Sequence, residues 1–305
     1  MITTPDGKKY SDSRNYELDE SYIDEEKCYL KFEEDSLEGD LIDYHIVIHP
    51  IQRNSANTNA TDSMVCTSVK GVGVDLQFKA VLTPFRHGAG RTVFNKQDDL
   101  FSSWFCIPKM QVTGSITIEG ERRIAEGTGY HDHRCMAIDD MRAWHHWLWG
   151  RQFFQQYSCV IYDLVTSKEF DFIRIPLFCI YDQNGSIIFD NNGSVNCNIK
   201  ERYLEPVGEK EYPKLVEYHF TDGTKEAIYT LECTKAMEVR DLYSNAPEQM
   251  KKVFDSMEMQ PSYACYQAEG QLTIKDNGQV VAKTEKSPMV YEFAYQGKPN
   301  TAAHL

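Results

Sequence analysis

With 305 residues, 41% hydrophobic and 12% aromatic, the chain can bury one large core or two domain-sized ones. Its formal charge of −14 argues against a nucleic-acid or anionic-membrane partner, since both need a basic face. No apolar run approaches the roughly 20 residues of a membrane helix, and the N-terminus lacks the apolar core of a signal peptide. The expectation is a soluble, cytoplasmic protein with no membrane insertion.

Residues 1–26 are polar and acidic, with Asp19, Glu20, Asp24, Glu25 and Glu26 close together, and are read as a surface arm or first edge. From Cys28 onward the pattern alternates apolar and polar residues in CYLKFEE, DYHIVIHPI, VDLQFKAVL and MQVTGSITI, the period of half-buried strands. Turn-forming clusters separate them at Asp35–Asp40, Asn54–Asp62, His87–Gly90 and Gly120, and Arg53–Ser63 reads as a polar loop. The second half repeats the style in YSCVIYDLV, FDFIRIPLFCIYD, SIIFD, KLVEYHF, EAIYTLEC, AMEVRDLY, QLTIKD and QVVAKTE. Asn-Gly steps in Asp182–Ser186 and Lys275–Gln279 predict tight hairpins. One helix is predicted, Ala246–Glu258, with Pro247 near its start and Met250, Val253, Phe254 and Met257 on one face.

Strand following strand without helical crossovers predicts an all-β fold and argues against βαβ architecture. A weak internal echo supports duplication: Gly114-Ser-Ile-Thr-Ile and Gly270-Gln-Leu-Thr-Ile lie 156 residues apart, each before a tight turn. The expected organisation is an arm over 1–26, a first β-domain over 27–160 and a second over 161–305.

The nine cysteines are odd in number and lack a CxxC pair, which argues against a disulfide framework or zinc knuckle. They read as small, mostly buried apolar groups in a reducing compartment. Sequons at Asn59 and Asn192 carry no weight without export.

Chemistry concentrates between Trp104 and Tyr162. All four tryptophans lie there, at Trp104, Trp144, Trp147 and Trp149, with two histidine pairs, His131/His133 and His145/His146. On a strand, His131 and His133 share one face, and Tyr130 and Asp132 the other. None of this matches a structural zinc spacing, so no metal is expected. Asp132 beside an imidazole can instead form an acid–base pair or a structural polar network. Trp147, Trp149 and Arg151 fall at i, i+2 and i+4, a stripe that Phe153 continues. Such a stripe is either core or the lining of a pocket for a long apolar ligand with a carbonyl or acid end. Tyr162-Asp163 offers a second carboxylate beside a phenol. No Gly-x-Ser-x-Gly elbow exists, and Gly71-Val-Gly73 lacks the rest of a dinucleotide fingerprint, so no cofactor is expected.

Gly129-Tyr130-His131-Asp132-His133, followed fourteen residues later by Trp147-Leu148-Trp149-Gly150-Arg151, resembles the carotenoid 1,2-hydratase (hydroxyneurosporene synthase) superfamily. That superfamily includes the lipocalin-like Diels–Alderases of polyketide biosynthesis. Its pattern is G-Y-H-D-[HK]-N-W-G followed by W-x-W-G-R. Here Arg134-Cys135-Met136 stands where the family has Asn-Trp-Gly. The resemblance implies two lipocalin-like β-domains side by side, with a hydrophobic pocket within or between them. It implies an enzyme that cyclises or isomerises a long, apolar, unsaturated polyketide or isoprenoid metabolite of secondary metabolism without a cofactor. Trp104, Tyr130, Trp147, Trp149 and Tyr162 would bind the substrate, Arg151 or His133 would polarise a carbonyl, and Asp163 or Asp132 would act as acid or base. Two alternatives stand beside it. One is a hydro-lyase adding water to an isolated double bond, which needs a carboxyl of raised pKa at Asp163 or Asp132. The other is a non-catalytic lipid carrier. The partner in each case is a hydrophobic small molecule, and the expected state is a monomer or homodimer.

Overall fold

The computed structural model describes residues 2–10, 16–17, 19, 21–50, 71–190, 194–207 and 209–299. The expected loop Arg53–Ser63 and the sequons at Asn59 and Asn192 lie outside these residues. The described chain is all-β, with twenty strands and two short α-helices. It divides into two compact units, each discontinuous in sequence: Met1–Pro84 with Lys109–His131, and Phe85–Pro108 with Asp132–Leu305.

The first unit opens with β1 (Ile2–Thr3), β2 (Lys9–Tyr10) and β3 (Ser21–Ile23), then β4 (Cys28–Phe32) and β5 (Asp35–Gly39). It continues with β6 (Asp43–Ile48) and β7 (Val72–Ala80). After β8 (Phe85–Val93) of the second unit come two long strands, β9 (Phe101–Ile118) and β10 (Glu121–Met136), each of which contributes to both units. In the first unit the strand order is β10-β9-β7-β6-β5-β4-β3. Tyr10, Val72 and Ile118 form its small buried cluster.

The expected turn cluster at Asp35–Asp40 is instead largely strand β5. The chain reverses on either side of it, at Glu33 and Leu41, whose φ values are 52° and 74°. Asp35 stays in the strand because it is buried and accepts hydrogen bonds from the His49 amide (2.7 Å) and the Tyr16 hydroxyl (2.8 Å). His87–Gly90 is likewise no turn but the irregular middle of β8. The register to β9 jumps between Arg86 and Arg91, with Gly88 and Gly90 at positive φ. A bulge takes up the extra residues and bends the strand.

The second unit continues with α1 (Asp140–Ala143), β11 (Trp144–Phe153) and β12 (Tyr157–Thr166), a 3₁₀ turn at Lys168–Phe170, and β13 (Arg174–Asp182). Then come β14 (Ile187–Phe189), β15 (Ser194–Glu205), β16 (Lys210–Asp222) and β17 (Lys225–Asp241). After α2 (Glu248–Ser256) follow β18 (Met259–Asp276), β19 (Gln279–Lys283) and β20 (Ser287–Gly297). The sheet order is β14-β13-β12-β11-β20-β18-β17-β16-β15, with β19 beside β18. The last strand in sequence thus pairs centrally with β11 and β18, both antiparallel.

Alternating burial along much of β16, the first half of β17 and most of β18 gives this sheet one core face, filled by Leu148, Ile161, Phe178, Tyr212, Phe293 and their neighbours. The internal echo has a structural counterpart. Both copies lie near the end of an 18-residue strand, β9 and β18. Gly114 is registered opposite Leu76, and Gly270 opposite Leu231. Each strand then turns through two positive-φ residues, Glu119-Gly120 and Asn277-Gly278, the type I′ geometry that suits strand twist.

α2 occupies the predicted helix, but only Phe254 of its four apolar residues is buried. Met250, Val253 and Met257 remain 46%, 45% and 37% exposed, so this face stays open among the described residues. Among the described residues, no helix is long and apolar enough to cross a membrane.

Candidate functional site

β10 carries the Gly-Tyr-His-Asp-His segment across the division between the units: Tyr130 and His131 belong to the first, Asp132 and His133 to the second. His131 packs its ring against Tyr44 at 4.5 Å, within the first unit. Gly129 is required there, since a Cβ would come within 2.6 Å of Val112 and 2.9 Å of Phe78.

In the second unit, three strands present a common face. Antiparallel register places Tyr162 of β12 and Glu292 of β20 on either side of Trp149 of β11. Directly paired residues point the same way, and strands lie about 4.8 Å apart, so Tyr162 and Glu292 flank the Trp149 ring at about 10 Å from each other. On the next rung sit Leu164, Trp147 and Ala294, and beyond Ala294 lies Tyr263 of β18. Trp147, Trp149 and Arg151 therefore lie on the half-buried face, while Leu148, Gly150 and Gln152 between them turn into the core.

Polar groups on this face are tied together. The Trp147 indole donates to Glu292 Oε1 (3.1 Å) and the Tyr263 hydroxyl to Oε2 (2.9 Å). Arg134 donates to the Tyr162 oxygen (2.9 Å), pairs with Asp140 (2.8 Å) and lies 5.8 Å from the Trp147 ring centre. Trp104, only 2% exposed, donates its indole N–H to Asp132 Oδ2 (3.2 Å) and packs on Tyr162 at 5.5 Å.

Arg134 thus pairs with Asp140 and also acts on Glu292, whose carboxyl is nonetheless shifted upward. Burial raises its carboxyl above the ordinary 4.5. The bonds from Trp147 and Tyr263 oppose that rise, Asp132 adds to it and Arg134 opposes it. The Tyr162 phenol is pushed up by burial, against the pull of Arg134.

Trp104, Asp132, Trp147, Trp149 and Tyr162 are therefore gathered in one place, and Arg151 lies one rung further along the same face. Three residues expected with them are not. Tyr130 belongs to the first unit. His133 turns to the opposite side of β10 from Asp132, against Phe105 (5.8 Å). Asp163 turns to the core face of β12, where it is fully buried. There it accepts bonds from Arg174 Nε at 2.8 and 3.1 Å, from Arg174 Nη2 and from the Tyr218 hydroxyl at 3.0 Å. The physical reason is strand alternation: neighbours cannot share a face.

Three participants escaped the sequence reading: Arg134, Glu292 and Tyr263. Arg134 stands two positions after Asp132, hence on the same strand face. Glu292 is the lone charge in the alternating run PMVYEFAYQG, a signal that could have marked it.

The second histidine pair is buried in the same unit. His145 donates from Nε2 to the Lys298 carbonyl (2.8 Å), so its Nδ1 accepts from His146 Nδ1–H (2.8 Å). His146 Nε2 is left a bare acceptor, buried and without a hydrogen-bond partner. Burial depresses both rings' pKa. For His146 the neighbouring His145 and Arg174 add to this, and for His145 Lys210 adds while the Lys298 carbonyl opposes. Each ring takes up its proton at lower pH in the fold than the ordinary 6.5 of the unfolded chain, so stability is expected to fall as pH drops below 6.5. His146→Phe should flatten that acid slope, read as urea midpoints at several values between pH 7.5 and 5. An unchanged slope would show that the pair does not govern it.

No protein-family model matches the chain, and no curated protein matches it in sequence. Solved structures do match in fold. A Nitrosomonas europaea protein described as AttH superposes with a TM-score of 0.51 at 14% identity, over 87% of this chain and 69% of that one. CghA superposes at 0.55 and 10% identity, over 89% of this chain and 68% of its own. CghA with Sch210972 gives 0.54 and 10%, over 88% and 70%. The chain is thus similar to these structures in an all-β, lipocalin-like fold, the fold of the superfamily that its Gly-Tyr-His-Asp-His and Trp-Leu-Trp-Gly-Arg segments resemble.

Proposed function

We propose that the chain is a cyclase or isomerase that takes a long, mostly apolar, unsaturated metabolite carrying a carbonyl. The observation that carries this is the rung Tyr162–Trp149–Glu292, with Arg134 behind the phenol and a raised-pKa carboxyl at the other end. The apolar chain lies folded on Trp147 and Trp149, which holds it near its reacting geometry. Arg134 occupies a lone pair of the Tyr162 oxygen and orients its O–H toward the substrate carbonyl. That donor withdraws electron density from the conjugated system and lowers the barrier to ring closure. Where a proton must move, Glu292 in its acid form gives it to one carbon and the resulting carboxylate recovers one from another, so the protein ends unchanged. CghA, which shares the fold, has been solved with Sch210972.

Glu292 also favours a second reading. A protonated carboxyl among aromatic rings can protonate an isolated double bond, and water captures the cation, a hydro-lyase reaction.

The test is mass spectrometry of small-molecule extracts from cells carrying the intact protein, Trp149→Ala or Glu292→Gln, each beside the neighbouring biosynthetic genes. A product of its precursor's mass, made only by the intact protein, is the expected result. A product heavier by one water would move the assignment to hydration. Identical extracts, with lipid bound to the purified protein, would leave a carrier in place of an enzyme.

A further inference from the structure

A second cleft opens in the C-terminal unit and shares no residue with the aromatic face described above. It encloses about 780 Å³, and its walls come from α1, the 3₁₀ turn at Lys168–Phe170, the α2–β18 junction and Gly297–Pro299. That volume lies within the roughly 300–1,000 Å³ of small-molecule sites.

Its lining holds two buried polar atoms without hydrogen-bond partners, Trp144 Nε1 and Ser167 Oγ. They stand on adjoining strand ends: Trp144 is registered opposite Thr166, and the Ser167 amide donates to the Ala143 carbonyl (2.9 Å). An indole N–H can only donate, so the group that would satisfy it must be an acceptor. Met141, Phe172, Met257 and Met259 supply apolar wall.

Charge points the same way. In a chain of net charge −14, the charged side chains of this lining are three cations, Arg142, Lys168 and Lys298, against two carboxylates, Glu169 and Glu258. Each cation is paired in the open, Arg142 with Glu169, Lys168 with Glu258 (2.8 Å) and Lys298 with Asp255 (3.4 Å), so each can turn to an incoming anion at little cost.

We propose that this cleft is a second small-molecule site, built for an amphipathic monocarboxylate. Its carboxylate would meet the Trp144 N–H, the Ser167 O–H and a rim cation, and its apolar chain would lie along the methionines and Phe172.

The test is titration calorimetry of the intact protein with dodecanoate, and with dodecylamine as a cation of the same apolar length. Dodecanoate is expected to bind with a stoichiometry of one and more tightly than the amine. Trp144→Phe/Ser167→Ala should weaken it about ten- to a hundredfold, the loss of buried bonds to a charged group. Met257→Trp, a substitution at a partly exposed wall residue that leaves the core intact, should block the cleft and abolish binding. Trp149→Ala, on the other face, should change nothing. No binding, equal binding of the amine, or a loss confined to Trp149→Ala would each overturn the proposal.

Discussion

Arg174→Met is expected to destabilise the protein by about 3 kcal/mol, the lower end of the roughly 3–5 kcal/mol lost when one partner of a buried ion pair is removed. The low end applies because the Arg174 side chain keeps 24% exposure while that of Asp163 has none. Without the guanidinium, the Asp163 carboxylate would retain only the Tyr218 hydroxyl among the bonds described above, in a site closed to water. Removing both charges, as in Asp163→Asn/Arg174→Met, should recover most of the loss, because no unpaired ion remains buried. Urea denaturation at pH 7 reads both variants. Full stability in Arg174→Met, combined with lost turnover, would overturn the structural assignment and return Asp163 to the chemistry.

Glu292→Gln is expected to lower turnover by about 10²–10⁴, the usual contribution of a positioned acid or base. The amide keeps an acceptor for Trp147 or Tyr263 but cannot deliver a proton. Wild-type activity should fall as pH rises through the raised Glu292 pKa, because the acid form is lost, and that limb should vanish in the variant. Stability supplies an independent check. A carboxyl whose folded pKa is raised contributes fully below its ordinary 4.5, and the contribution is lost as pH rises through the folded value. The glutamine variant should therefore be at least as stable as wild type at pH 8. A less stable variant at that pH would mean that Glu292 serves the fold as an anion.

Much of the fold was legible because strands report themselves locally. Period-two alternation marked CYLKF and QLTIKD, YSCVIYDLV read as a strand that proves buried on both faces, and Asn-Gly marked the hairpins at Asp182–Ser186 and Lys275–Gln279. β8 and β5 were misread because Gly and Asp are turn formers by propensity, yet a bulge and two hydrogen bonds to the buried Asp35 hold them in strands. Of the candidate site, the aromatic half was visible at Trp104, Trp147, Trp149 and Tyr162. Its acid was not, since Glu292 reaches Trp147 from 145 residues away.

By itself the sequence determined that the chain is all-β, where most strands and their tight turns fall, and that Trp147, Trp149 and Arg151 share a strand face. Those are consequences of backbone geometry repeated every two residues. Only the tertiary structure decided which face that is, that Asp163 lies on the reverse of Tyr162's strand, and that β20 carries Glu292 to the far side of Trp149. It also decided that the compact units interleave along the chain, because β9 and β10 are long enough to serve both. Alternation defines two faces but not which of them is buried. Register between strands far apart in sequence is set by packing across the whole sheet, which no local pattern encodes.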